Sequence, residues 1–192
     1  MKRRESLFYE KIKIHCDEIK NKRLSQIKNN ATNQIIFDEI SNVLLKCNKI
    51  FYEVGLESER KPRYIVFSFL DTSFLMQKYE IQINFYDDRY YMDNNECSEH
   101  FSYTVLMDCF EKDIRNINRI IKDNFIKVMD YELDLIRWNF KKNLLKQIKY
   151  LLVEYFQDKS NQHIINQIAH NYPIQITFGN YFNQQENIIT IN

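Results

Sequence analysis

The chain has 192 residues and a formal net charge of +1, and 44% of its residues are hydrophobic and 15% aromatic. This composition excludes a disordered chain, because so many apolar side chains can build a core. The near-zero net charge also excludes a global field that would attract nucleic acid or a membrane. The length fits a single domain over 1–192. Within it we expect a helical pair (1–56), a β-hairpin region (63–93), long helices (102–157) and C-terminal strands (173–192).

Glycine is nearly absent: the chain holds only Gly55 and Gly179, where average usage of about 7% would give roughly 13. Glycine supplies left-handed turns and close backbone approach to phosphates, so most nucleotide-binding loops depend on it. The sequence also lacks the P-loop, dinucleotide-binding, GxSxG and HExxH motifs. We therefore expect no cofactor and no metal ion, and we favour a protein that is not an enzyme.

The first part of the chain has apolar residues at helical spacing. This spacing predicts one helix over 5–29 and a second over 33–54. Gly55 follows the second helix at the position of a left-handed C-cap residue. The first helix lies in the most basic stretch, because residues 1–30 carry nine Lys or Arg and four Asp or Glu.

The period then changes to that of strands. Residues 64–70 are apolar on both faces, which predicts a strand covered on both sides. Residues 78–86 alternate, which predicts a half-buried strand with one face in water. Asp87 and Asp88 can form a two-residue turn that leads into a return strand over 89–93. This register pairs Tyr86 with Arg89 and separates the apolar from the polar side chains, so we predict a central β-hairpin.

The rest of the chain is mostly helical. Residues 102–157 are too long for one typical helix, so we expect a break between Asp123 and Glu132. A short helix can start at Ser160. Alternating segments over 174–178, ended by Gly179, and over 187–191 are candidates for the same sheet. The predicted fold class is α+β, with a small, mostly antiparallel sheet packed against long amphipathic helices.

The polar face of the predicted hairpin is the candidate site. Tyr and Arg are residue types that carry binding energy at protein interfaces. We predict a partner-binding surface, with another protein as the partner, formed by Gln82, Asn84, Tyr86, Arg89 and Tyr91. An inhibitor, an immunity factor or a regulatory adaptor would fit this prediction.

Two other functions remain open from the residues. The basic stretch 1–30 could follow nucleic-acid phosphates, which would make the protein a nucleic-acid-binding regulator. Alternatively, Asp71 and Glu80 loosely resemble the acidic pair of the PD-(D/E)xK nucleases, which implies a divalent-metal-dependent nuclease. Gln82 stands where that pattern has Lys. Cys97, His100 and Cys109 are also candidate zinc ligands.

Sequence features also bear on location. The basic start is followed by no apolar signal segment, and no stretch of 18 apolar residues occurs. The four cysteines form no CxxC pair. We therefore predict a cytoplasmic protein that does not enter a membrane, and we leave its oligomeric state open.

Overall fold

The computed structural model describes residues 18, 30–54, 60–92, 97–124, 129–169, 172–181 and 185–191. This part of the chain contains five α-helices, two short 3-10 turns and one five-stranded sheet. The helices are α1 (Asn30–Val54), α2 (Asp71–Leu75), α3 (Thr104–Asn124), α4 (Asp130–Gln157) and α5 (Gln162–Ala169). The strands are β1 (Tyr64–Phe69), β2 (Glu80–Tyr86), β3 (Cys97–Ser102), β4 (Ile174–Asn180) and β5 (Gln185–Ile191).

The sheet is mixed. Its strand order is β3-β2-β1-β4-β5, and β1 runs parallel to β4 while the other three pairings are antiparallel. The α+β class is confirmed, but the prediction of a mostly antiparallel sheet built on a hairpin is corrected. The physical reason is chain connectivity. Parallel neighbours need a long crossover, and the helices between β1 and β4 supply it.

The predicted return strand over 89–93 is wrong. After β2 the chain forms a 3-10 turn at Tyr90–Met92, and β2 pairs with β3 instead. Phe85 lies opposite Cys97 rather than Tyr90. The Asp87 carboxylate accepts a hydrogen bond from the backbone N–H of Arg89 at 2.9 Å. This side-chain turn competes with a strand ladder and directs the chain away from a tight hairpin.

Most helix predictions are confirmed. The helix predicted over 33–54 is α1, and the break predicted between Asp123 and Glu132 separates α3 from α4. The short helix predicted from Ser160 is a 3-10 turn followed by α5. Both C-terminal strands join the sheet, although Gly179 lies within β4 and does not end it. The predicted helix over 5–29, apart from Glu18, and the Gly55 cap lie outside the described residues.

One face of the sheet, called here the apolar face, carries the core. Ile65, Phe67 and Phe69 of β1 lie on it, opposite Phe85, Ile83 and Ile81 of β2. These six side chains are at most 1% exposed. Burial of each such side chain contributes about 1.5–3 kcal/mol, so this face supplies a large part of the driving force for folding.

Two helices cover the apolar face with aromatic side chains. From α1, the Phe51 ring lies 6.2 Å from that of Phe85. From the end of α4, the Phe156 ring lies 5.9 Å from that of Phe67 in an edge-to-face contact. The two helices are joined by a hydrogen bond of 2.8 Å between the hydroxyls of Ser41 and Tyr155. The polar hydroxyl of a buried tyrosine is thereby satisfied.

The chain divides into two compact units, one of Met1–Asn33 with Val105–Ile148 and the other of Gln34–Thr104 with Lys149–Asn192. The sheet belongs to the second unit. In the first unit, Arg137 of α4 forms an ion pair with Glu111 of α3. The prediction of one domain over 1–192 stays a prediction.

The backbone reaches left-handed conformations without glycine. Gln77, Tyr79 and Tyr90 have φ values between 55° and 57°. A residue with a Cβ costs roughly 1 kcal/mol there, because the Cβ crowds the following carbonyl oxygen. Two of the three, Tyr79 and Tyr90, flank β2. Among the described residues no glycine has a positive φ, so Gly179 is not required by the local conformation of the chain.

Candidate binding surface

The face of the sheet opposite the apolar one is polar and buried. Ser68 lies opposite Gln82, and Asn84 lies opposite Ser98. We call this the polar face. Its polar side chains are Ser68, Gln82, Asn84, Ser98, Thr177 and Gln185, and the fully buried Val66 of β1 lies among them, opposite Asn84 and Thr177. Ser68 and Asn84 are 1% exposed, so the water-facing side predicted for β2 is wrong. Polar side chains mark a wet strand face only when nothing covers them.

Hydrogen bonds within the sheet satisfy part of the polar face. Gln82 donates from Nε2 to the Ser98 hydroxyl at 2.7 Å. Gln185 donates from Nε2 to the Asn180 carbonyl at 3.0 Å and lies 3.4 Å from the Ser68 hydroxyl. Such bonds are needed because a buried amide without a partner costs free energy. The central polar groups of this face are amides and hydroxyls, which bind by hydrogen bonding and do not transfer protons near neutral pH.

A tyrosine cluster stands at the end of the sheet where β2 finishes, and it consists of Tyr64, Tyr86, Tyr90 and Tyr91. The Tyr90 ring lies 4.6 Å from Tyr64, 5.5 Å from Tyr86 and 4.2 Å from Tyr91. The rings of Tyr86 and Tyr91 are 5.2 Å apart. Edge-to-face and tilted pairs of this kind contribute about 0.5–1.5 kcal/mol each beyond their buried area. The cluster therefore fixes the 3-10 turn to the sheet.

A buried carboxylate anchors the same turn. Asp87 accepts hydrogen bonds on Oδ2 from Nη2 of Arg89 at 2.6 Å and from Nε at 3.0 Å. Nε of Arg60 lies 3.7 Å from the same oxygen. The Arg60 guanidinium also lies 4.0 Å above the Phe51 ring and donates to the Phe51 carbonyl at 3.2 Å. The turn is thus attached to the side of the sheet that α1 covers.

The charges around Asp87 determine its protonation. Burial alone would raise the pKa of Asp87, but hydrogen bonds from the Arg89 side chain and backbone lower it. The positive charges of Arg89 and Arg60 act in the same direction, and the net effect is a lowered pKa. The carboxylate therefore stays ionised, and the anchor is intact, throughout the neutral range.

The surface of the turn carries the side chains that interfaces favour. Met92 is 79% exposed and Tyr91 is 38% exposed, and the side chain of Arg89 is 43% exposed. Burial, a hydrogen bond with Tyr90 and the nearby hydroxyls of Tyr86 and Tyr181 raise the pKa of Tyr91. Tyr91 is therefore a neutral phenol near pH 7, able to stack and to hydrogen-bond but not to act as a base.

The five predicted site residues fall into two groups. Gln82, Asn84 and Tyr86 lie on the same face of β2, as the alternation predicted, but they are buried. Arg89 and Tyr91 lie on the exposed turn instead of a strand. Tyr86 and Tyr91 still meet through their rings. The predicted binding role of these residues remains a prediction.

Sequence reasoning missed four members of this region: Tyr64, Tyr90, Met92 and the anchor Asp87. The local sequence did indicate a role for Asp87, since an Asp side chain commonly accepts a hydrogen bond from the backbone N–H two residues later. The pairing of Asp87 with Arg60 had no such local signal, because the two residues are far apart in sequence.

The residues of the nuclease and zinc alternatives lie on α2, β2, β3 and α3. Asp71 is the first residue of α2 and is exposed, while Glu80 begins β2 and its backbone N–H donates to the Ser73 hydroxyl at 2.9 Å. Cys97 is buried and points to the apolar face, whereas His100 lies opposite Gln82 on the other face of β3. A single zinc ion cannot bind both. Within the described ranges, no group of three or more His, Cys, Asp or Glu could hold a metal ion.

Comparison of the chain with models of protein families, with curated proteins and with solved structures finds no match. Across the part of the chain that the structure describes, no helix has the length and apolar character needed to cross a membrane.

Proposed function

We propose that this protein is a cytoplasmic, non-enzymatic binding protein that recognises another protein through the turn after β2. The contact surface consists of Arg89, Tyr91 and Met92. The single observation that supports this proposal most strongly is the combination of an exposed Tyr-Met-Arg surface with a rigid attachment beneath it.

Rigid attachment matters because binding costs free energy when flexible side chains become ordered. The backbone N–H of Met92 donates to the Arg89 carbonyl at 3.1 Å, and that of Tyr90 donates to the Asp87 carbonyl at 3.2 Å. The rings of Tyr90 and Tyr86 contact the Tyr91 ring in edge-to-face geometry and hold it in place. A partner that binds this turn therefore gains contacts without ordering it first.

The chemistry of the turn indicates the kind of partner. The Arg89 guanidinium already binds Asp87, so the local charge is largely compensated. A neutral aromatic and thioether surface favours a partner with an apolar pocket surrounded by polar groups. Such a pocket could receive the Met92 side chain as its central anchor, in the manner of an interface hot spot.

The test is site-specific photo-crosslinking in the cell of origin. A benzophenone amino acid placed at Met92 should capture one discrete protein. The same group placed at Leu75, which is 58% exposed on α2, is the matched control and should not capture that protein. Addition of unlabelled wild-type protein should compete with the capture.

A double variant provides the second readout. Arg89→Ala/Tyr91→Ala should weaken the captured complex by at least about tenfold, as expected when hot-spot residues are truncated. The exposed substitution Lys78→Ala should leave affinity unchanged. Equal capture at Met92 and Leu75, or full affinity in the double variant, would reject the proposed surface.

The nucleic-acid alternative rests on residues 1–30, of which the structure describes only Glu18 and Asn30. It stays a prediction, and a gel shift with steep salt dependence is its test. The nuclease alternative likewise stays a prediction, and a plasmid assay with Mg²⁺ and Glu80→Ala would decide it.

A further inference from the structure

One exposed face of α4 carries apolar side chains where a helix face in water is normally polar. Tyr131, Leu135 and Trp138 are 44%, 39% and 38% exposed. They follow one another at steps of four and three residues, so they lie in one line along the helix. Lys142, which is also exposed, continues the line by a further step of four. We call these four residues the outer stripe.

The core-facing side of α4 consists of other residues. Ile136, Leu144 and Ile148 are at most 3% exposed. At 3.6 residues per turn they lie on the half of the helix away from the outer stripe. The helix is therefore apolar on two sides, which is typical of a helix that is covered on both.

The helix α3, which belongs to the same compact unit as this part of α4, shows how the unit forms a surface in water. Apart from residues 105, 109 and 124, the structure describes the burial of every position of α3. The exposed ones among these are all polar or charged: Thr104, Asp108, Lys112, Arg115, Asn116, Arg119, Lys122 and Asp123. The apolar outer stripe is thus a feature of α4 and not of every helix surface in this unit.

The exposed charges of α4 are separated by Trp138. Asp130 and Asp134 are exposed before it, and Lys142 and Lys146 are exposed after it. Asp134 and Lys142 each lie four residues from Trp138, and Asp130 and Lys146 each lie eight residues from it. The charged positions are therefore symmetric about Trp138, and their signs are opposite.

We propose that the outer stripe is a self-association surface, on which a second copy of this chain packs through its own α4 in the antiparallel direction. A two-fold axis at Trp138 places each residue opposite the residue at the same distance on the other side of Trp138. Asp134 then lies opposite Lys142 of the second copy, and Asp130 lies opposite Lys146. Each pair occurs twice in the dimer.

Apolar contacts supply the free energy of this association, since they remove apolar area from water. The two Trp138 rings meet at the axis, and Tyr131 packs on Leu145 of the second copy, with Leu135 between these contacts. The Trp138 ring is already supported within one chain, because Nζ of Lys141 lies 4.4 Å from its centroid. An aromatic side chain that is held in place loses little conformational entropy on binding.

The charge pattern selects a second copy as the occupant. An anionic membrane surface would attract Lys142 and Lys146 but repel Asp130 and Asp134. A different protein would require no symmetry of charge about Trp138, whereas an antiparallel second copy does. One pair of helices is smaller than the standard interface of about 800 Å² per partner. We therefore expect a dissociation constant in the micromolar range.

The experiment is sedimentation equilibrium of the full chain, with tryptophan fluorescence as a second readout. Trp138 is the only tryptophan in the sequence, so its emission reports directly on the outer stripe. The wild type should pass from monomer to dimer between about 1 and 100 μM. The emission should shift to the blue over the same range, because the ring leaves water.

Exchange of charges tests the antiparallel register. Asp134→Lys places like charges opposite each other twice in the dimer, so it should raise the dissociation constant at least about tenfold. Lys142→Asp should have the same effect. The combined variant restores opposite charges in both pairs and should return to within about threefold of wild type. A role within one chain would not give this recovery, because residues eight apart on a helix do not touch.

Matched controls test whether the effect is specific to the outer stripe. Asp108→Lys makes the same change of charge at an exposed position of α3 and should leave self-association unchanged. Arg89→Ala/Tyr91→Ala should also leave it unchanged, so that this proposal and the proposed protein-binding turn fail independently. Circular dichroism melts of every variant establish that it is folded.

Three outcomes would overturn the proposal. The first is a wild type that stays monomeric at about 100 μM. The second is a dimer whose loss in the two single variants is not recovered in the combined variant. The third is a blue shift of Trp138 emission on vesicles of phosphatidylcholine and phosphatidylserine that exceeds any shift with protein concentration. That result would assign the outer stripe to a membrane surface.

Discussion

The two faces of the sheet are formed by the same strands but carry different classes of side chain. On the apolar face, β1 and β2 present phenylalanine and isoleucine to α1 and to the end of α4. On the polar face, the same strands present Ser68, Gln82 and Asn84 around Val66, and all four are at most 7% exposed. A strand buried on both faces is usually apolar on both.

The two faces of the sheet contribute differently to the stability of the fold. Removal of apolar area from water stabilises the fold and needs no particular geometry. Buried amides and hydroxyls contribute little net stability and impose strict geometry on their partners. The polar layer therefore contributes less to the stability of the fold than the apolar face does.

The largest expected effect lies on the apolar face. Phe67→Ala should lower the free energy of unfolding by about 4 kcal/mol, because a fully buried ring is lost and a cavity remains. Urea denaturation measures it. The control Ile35→Ala, at a residue 53% exposed on α1, should change stability by at most about 0.5 kcal/mol. A loss below about 1 kcal/mol for Phe67→Ala would remove the distinction between the faces.

The next effect concerns the ionic anchor at the end of β2. Asp87→Asn removes the carboxylate beside Arg60, whose side chain is only 2% exposed, and should cost about 3 kcal/mol. Asp88→Asn is the matched control, because Asp88 is the neighbouring residue and is exposed. It should cost less than about 0.5 kcal/mol. Equal costs for the two variants would show that the anchor does not stabilise the turn.

The anchor also predicts a dependence on pH. The lowered pKa of Asp87 means that the unfolded chain binds its proton more readily than the folded one. The stabilisation is present above the ordinary carboxyl pKa of about 4, and it is lost as the pH falls through the lowered folded value. Urea midpoints at neutral and acid pH should therefore differ less for Asp87→Asn than for wild type. Parallel pH profiles would contradict this assignment.

A smaller difference in the free energy of unfolding is expected between variants of two tyrosines that are both fully buried. Tyr155→Phe removes a hydroxyl that bonds Ser41 at 2.8 Å and should cost about 1 kcal/mol. Tyr103→Phe removes a buried hydroxyl that has no hydrogen-bond partner and should be neutral or stabilising. The same atoms are deleted in both variants, so the difference in urea midpoint isolates the hydrogen bond. Equal losses would contradict it.

The smallest effect lies on the polar face. Thr177→Val keeps the shape of the side chain but replaces an unpartnered hydroxyl with a methyl group. It should raise the free energy of unfolding by up to about 1 kcal/mol, opposite in sign to Phe67→Ala. Thermal melts of the isolated protein detect the change. A clear loss of stability would mean that the hydroxyl has a hydrogen-bond partner in the folded protein.

Much of the fold was predictable because it depends on local periodicity. The stripe of α1, the break before α4 and strands β1, β2, β4 and β5 all follow from spacing of apolar residues. Strand β3 was missed, since Glu99 interrupts its apolar face. In the structure that carboxylate reaches Lys46 of α1 at 2.8 Å, a partner that the local sequence does not reveal.

The candidate site was predictable only in part. Alternation placed Gln82, Asn84 and Tyr86 on one face of β2, which the register confirms. Burial of that face was not predictable, because a polar side chain in water and one inside a covered sheet have the same local pattern. The turn was misassigned because a hairpin return at 89–93 and the true pairing with β3 both satisfy alternation.

The sequence by itself determined the α+β class, most element positions and the division of β2 into an apolar and a polar side. Local spacing is sufficient for these features because they depend on contacts within a few residues. The tertiary structure alone decided which strand pairs with β2, that the polar side is buried, and that Gly179 lies between Ser68 and Gln185. These features depend on packing and backbone pairing between segments that are far apart in the sequence. Local propensity does not specify such contacts.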